Sequence, residues 1–109
     1  MSDEQEFQRH AEDTIATLYR LLLSASDDYE FDVSLAGGAV TVEFERPAVK
    51  FVVSPNGPAR QIWFSARAKS YKLDWDIVEA SFTLSTTGET LKEVVEQAIS
   101  EQLGEDVSL

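Results

Sequence analysis

The sequence contains no cysteine. That excludes disulfides, thiolate metal sites and cysteine nucleophiles. His10 is its one histidine, so no Cys–His pair can form. A Ser–His–Asp triad would need a serine on a strained turn, a context no serine here has. No apolar run approaches the roughly 20 residues needed to cross a bilayer. Neither a phosphate loop nor an aromatic stacking platform among the basic residues is visible, which argues against nucleic acid as a partner. The Asp-rich run at 27–32 lacks the glycine and terminal glutamate of an EF-hand loop. Nothing indicates the deep pocket that paired-carboxylate glycoside chemistry uses. Internal repeats and low-complexity linkers are absent too.

The composition bounds the rest. A length of 109 residues makes residues 1–109 a single domain, and 43% hydrophobic content is ordinary for a soluble globular protein. The acidic start, Met1 to Glu6, is unlike a secretory or transit segment, and the expected location is cytoplasmic. Twenty acids stand against nine Lys and Arg, a net charge of −11. Their distribution is uneven. Nine acids lie between Asp3 and Asp32, whereas Arg46 to Lys72 contains no acid and six basic residues. The acidic part repels nucleic acid and anionic membranes, and attracts cations or a basic protein surface.

Apolar periodicity predicts a helix from residue 2 to about 24, with Phe7, Ala11, Ile15, Leu18 and Leu22 as its buried stripe. Ser2 and Gln5 suggest a capping box. Alternation then predicts strands at Glu30–Leu35 and Val40–Phe44 around a Gly37–Gly38 turn, and at Val49–Ser54. Residues 54–58 read as a turn. Further strands are expected at Gln61–Ser65, Tyr71–Trp75 and Ser81–Ser85, with Arg67–Ser70 as a loop. A second helix is expected from about Gly88 to Leu103, capped by Thr86 and Glu89 and stopped by Gly104. Leu35 is expected to face inward, and Trp75 to join the core. The fold class is α+β. Two one-sided helices should cover one face of an antiparallel sheet of about six strands, as a two-layer α-β sandwich, leaving the other face to water.

Two surfaces could carry function. Asp3, Glu6, His10 and Asp13 share one flank of the first helix by spacing, and Asp27, Asp28, Glu30 and Asp32 extend the acidic surface toward the sheet. Oxygen-rich donors with one imidazole suit Mg, Mn or Fe(II). The plainer reading is a solvated flank whose acids complement the helix dipole. Trp63 is the second candidate. Alternation in Gln61-Ile62-Trp63-Phe64-Ser65 puts Ile62 and Phe64 inward and turns Trp63 outward, where an aromatic side chain suits a protein partner.

Several stretches resemble the frataxin family, in particular its bacterial members, in family order: Glu6 to Glu12, Phe31 to Ser34 with Gly37 to Val42, Gln61 to Ser65, Asp74-Trp75, and Ser85 to Leu109. The resemblance spans essentially the whole chain. It implies a non-enzymatic protein of iron–sulfur cluster assembly that binds iron weakly, as Fe2+ or Fe3+. By position the implied acidic ridge is Asp3, Glu6, Glu12, Asp13, Asp28, Glu30 and Asp32, with His10 as an extra ligand. The implied partners are the cysteine desulfurase and the iron–sulfur scaffold protein, the latter meeting Gln61 and Trp63 with help from Lys72. A monomer is expected, with iron-dependent oligomers as its other state. The alternative is a ferroxidase or iron-storage protein using the same acids. Tyr19, Arg20, Leu23, Ser24 and Ser26 stand where bacterial members are usually acidic, so that end of the ridge is depleted.

Overall fold

A computed structural model describes residues 3–109. Helix α1 spans Asp3–Ala25 and buries Phe7, Ala11, Ile15, Leu18, Leu22 and Ala25. These positions recur every three or four residues, so one stripe meets the sheet while the acids stay in water. The expected Ser2 cap lies outside the described residues. Six strands follow: β1 (Asp32–Ala36), β2 (Ala39–Glu45), β3 (Ala48–Asn56), β4 (Gln61–Ala66), β5 (Lys69–Asp76) and β6 (Ser81–Thr83). Helix α2, Leu91–Leu103, closes the chain. The sheet is an antiparallel meander in the order β1-β2-β3-β4-β5-β6. The architecture is therefore the expected α+β sandwich.

Register decides which face each side chain takes. Val42 pairs with Val33 and Phe51, Val53 with Val40 and Phe64, and Ile62 with Leu73. These inward residues form one core with the buried stripes of both helices. Aromatic rings run diagonally across it. Phe44 meets Phe51 at 4.9 Å, Phe51 meets Phe64 at 5.9 Å, and Phe64 meets Tyr71 at 5.6 Å between centroids. The first two pairs are edge-on and the third is stacked, arrangements that add cohesion beyond area burial. The opposite face carries Thr41, Glu43, Lys50, Trp63, Lys72 and Asp74, and among the described residues no layer covers it.

Several boundaries differ from expectation. Strand β3 continues through Pro55 to Asn56, so the turn shrinks to 57–60. Pro55 is tolerated because β2 pairs only as far as Val53, so its missing N–H costs no ladder bond on that side. The Arg67–Ser70 loop is a two-residue turn, with Arg67 at φ 57°. Helix α2 starts later than Gly88: its N-cap is Thr90, whose side chain accepts from the Glu93 backbone while the Glu93 carboxylate accepts from the Thr90 N–H. Residues 84–88 are spent instead on a turn in which the Gly88 N–H donates to the Leu84 carbonyl. Gly104 ends the helix at φ 73°, a conformation that costs a residue without Cβ little. Leu35 lies opposite Val40 but is 43% exposed. It sits at the hairpin end of an edge strand, with no strand outside it. Beyond α2 the tail turns back. Val107 is buried, its N–H donating to Ser100 Oγ and that of Leu109 to Glu96 Oε2.

Candidate functional site

Trp63 projects from β4 on the uncovered face, flanked by its own network. Its indole N–H donates to Gln61 Oε1 at 2.9 Å, and Gln61 Nε2 donates to Asp74 Oδ1 at 3.0 Å. Only one amide orientation of Gln61 serves both bonds, because an indole can only donate and a carboxylate only accept. On the other side, the Lys72 ammonium stands 5.0 Å from the Trp63 ring centroid. The register explains both contacts, since Gln61 faces Asp74 and Trp63 faces Lys72 across β4 and β5. The ring is thus held in place while 36% of the residue remains exposed. A fixed aromatic surface loses little rotamer entropy on binding, which suits a docking surface. The outward Trp63, with Gln61 and Lys72 beside it, therefore stands together as the sequence led one to expect.

The acids are distributed differently from a single ridge. Asp3, Glu6, Glu12 and Asp13 are all exposed on α1. Glu12, with Glu4 and Gln8, borders a groove that Leu35 and the β1–β2 turn close. His10 and Asp13 line a different groove, toward Trp75, Ser81 and Phe82. There the His10 ring stacks on Trp75, 3.8 Å between centroids and 10° between planes. Trp75 is accordingly half-buried under a histidine, and it also meets Phe82 edge-on at 5.2 Å.

Asp28 and Glu30 lie in the connection after α1, and Asp32 opens β1. They are at the far end of a helix about 34 Å long, taking 1.5 Å per residue. Glu30 and Asp32 line a groove together with Glu43, Glu45 and Arg46. Antiparallel pairing sets Asp32 directly opposite Glu43, and Glu43 opposite Lys50 at 3.8 Å. Glu43 and Glu45 thus join the acidic surface, beyond the residues expected there from spacing and resemblance. Counting outward from the Gly37–Gly38 turn would have found the Asp32–Glu43 pair. Among the described residues, no three His, Asp or Glu side chains gather into a group that could hold a metal ion. The carboxylates on this surface are hard oxygen donors exposed to water.

Charge is also uneven across the sheet. The open side of β1 and β2 carries Asp32, Glu43 and Glu45, whereas Lys50 lies on β3, Arg60 and Arg67 lie in the turns that flank β4, and β5 sets Lys69 and Lys72 beside Asp74 and Asp76. At one of those turns Arg67 Nε donates to Gln102 Oε1 on α2 at 2.6 Å.

Comparison with known proteins matches this chain to a family model and to solved structures. The sequence model of the frataxin-like domain matches residues 1–105. Among solved structures, a frataxin from Psychromonas ingrahamii, described as a model for stability modulation within the CyaY protein family, superposes with a TM-score of 0.77. Its sequence identity is 20%, and the match covers 98% of this chain and 97% of that one. At that identity the structural match establishes the fold.

Proposed function

We propose, from the premise that this chain belongs to the frataxin-like domain family, that it is a non-enzymatic iron-binding protein of iron–sulfur cluster assembly. In this reading the acidic surface attracts Fe2+ as cargo and meets basic side chains of the cysteine desulfurase. The open sheet face, centred on Gln61, Trp63 and Lys72, contacts the iron–sulfur scaffold protein. One observation carries the reading: on a chain matched by the family model over residues 1–105, Trp63 is exposed and anchored on a sheet face that no helix covers.

The acidic surface supports the cargo role in a particular form. Asp3, Glu6, Glu12, Asp13, Asp28, Glu30 and Asp32 are exposed and spread along the helix, the connection after it and the start of the first strand. Ligands of that kind bind iron weakly and release it readily, which is what handing iron to another protein requires. His10 is the least available of the proposed ligands, because its ring lies on Trp75. The alternative, iron oxidation or storage, would use the same acids.

A residue-resolved NMR titration tests the reading. Purified desulfurase should broaden signals from Asp3 to Asp32 selectively. Addition of the scaffold–desulfurase complex should shift Gln61, Trp63 and Lys72. Trp63→Ala should weaken scaffold binding at least tenfold, about 1.4 kcal/mol, while Fe2+ titration of the acids is unchanged. Sustained oxygen consumption with iron-driven oligomers would instead favour the oxidation and storage reading. Loss of both binding activities in Trp63→Ala together with a lowered melting temperature would mean that Trp63 holds the fold.

A further inference from the structure

The turn between β5 and β6 exposes two aliphatic side chains. Ile77 is 85% exposed and Val78 is 91% exposed, more than any other large hydrophobic residue described. β-Branched residues are poorly suited to turns, where Gly, Asn, Asp, Pro and Ser serve better. Neither residue stabilises the fold through burial. Single exposed aliphatic residues are commonplace, but an adjacent pair at the tip of a hairpin is an apolar projection. The turn is also well ordered by its own chemistry. The Asp76 carboxylate accepts from the N–H groups of Val78 at 2.9 Å and Glu79 at 3.2 Å, and Ser81 Oγ donates to the Glu79 carbonyl at 3.2 Å. The backbone that presents Ile77 and Val78 is therefore set before any partner arrives, which lowers the ordering cost of binding.

Position and charge indicate what the projection fits. Strand β5 carries Lys72, beside the Trp63 ring, and continues directly into the turn. At about 3.3 Å per residue, roughly 16 Å of strand separates Lys72 from Ile77. Both lie within one footprint of the usual size, about 800 Å² per partner. Asp76 and Glu79 border the tip with negative charge. A second copy of this chain, with a net charge of −11, would be repelled at long range. A lipid surface bearing anionic headgroups would be repelled in the same way.

We propose that the Ile77–Val78 turn is a second anchor on the iron–sulfur scaffold protein, inserting into an apolar cleft bordered by Lys or Arg and extending the Trp63 contact. The proposal rests on the reading above that this sheet face meets the scaffold. The experiment measures binding of the full chain to the purified scaffold–desulfurase complex by isothermal titration. Ile77→Ser combined with Val78→Ser should weaken binding at least about tenfold, with an unchanged melting temperature because neither side chain is packed. Ile77→Leu with Val78→Leu should retain affinity. Glu79→Lys should weaken binding with the apolar pair left intact, by setting positive charge against the basic border. If the wild type binds and the serine pair binds equally well, this proposal is overturned and the functional reading stands. If the wild type does not bind the complex at all, both fall. Loss of binding to neutral phosphatidylcholine vesicles in the serine pair, with scaffold affinity unchanged, would overturn the proposal in favour of a membrane-contacting tip.

Discussion

At the scale of single residues, the open sheet face is governed by cross-strand neighbours. Trp63 owes its fixed position to Gln61 on one side and Lys72 on the other. The Asp32–Glu43–Lys50 row is less comfortable. Two carboxylates face each other, and the 3.8 Å contact from Lys50 offsets part of their repulsion. All three side chains stand in water, so the balance is small and salt-sensitive. Lys50→Glu should place three acids abreast and lower stability by about 0.5 kcal/mol at low ionic strength. Urea denaturation at 20 mM and 500 mM salt checks this, because the loss should shrink at the higher concentration. A loss independent of salt would mean that Lys50 acts through packing of its aliphatic stem.

At the scale of elements, the clearest lesson comes from α2. Its apolar stripe, Leu91, Val94, Val95 and Ile99, is buried as the periodicity indicates. Its start is ambiguous in the sequence because Thr86–Glu89 and Thr90–Glu93 carry the same capping pattern. The second wins because Leu84 to Gly88 already form a turn and Thr83 bridges to Thr90. Thr90→Ala should cost about 1 kcal/mol through loss of the reciprocal cap, read as a lower urea midpoint with an unchanged m-value. Thr86→Ala should be close to neutral by comparison. The other elements were legible wherever alternation or helical spacing was strong. Their pairing was legible only where a two-residue turn was recognised: Gly37–Gly38 announced itself, whereas Arg67–Ala68 has no turn residue to mark it. The Gln61–Asp74 contact went unseen for that reason. Burial of Val107 was not legible either, since one valine in a polar tail has no period to reveal it. The same limit applied to the acids. Spacing on α1 put His10 and Asp13 together, but only the tertiary structure shows that they face Trp75 while Glu12 faces the β1–β2 turn.

At the scale of the whole molecule, the uneven charge of the sequence becomes a pattern across the sheet, acidic on β1 and β2, basic at Lys50 and in the turns that flank β4, and mixed on β5. Such a distribution orients the molecule before contact and raises encounter rates with a complementary surface. If the acidic surface docks on the cysteine desulfurase as proposed, the association rate should fall several-fold between 50 and 300 mM salt, with a smaller change in dissociation rate, as measured by stopped-flow fluorescence. Equal effects on both rates would count against steering. The meander has its own consequence, which concerns how the chain reaches this state. Each strand pairs with its neighbour in sequence, through turns that need little loop closure. Hairpins can form independently and wait for α1 and α2. The interval in which β1 and the aromatic row stand uncovered then depends on how soon the helices dock, so folding of this chain is a race between covering that apolar face and pairing it with another molecule.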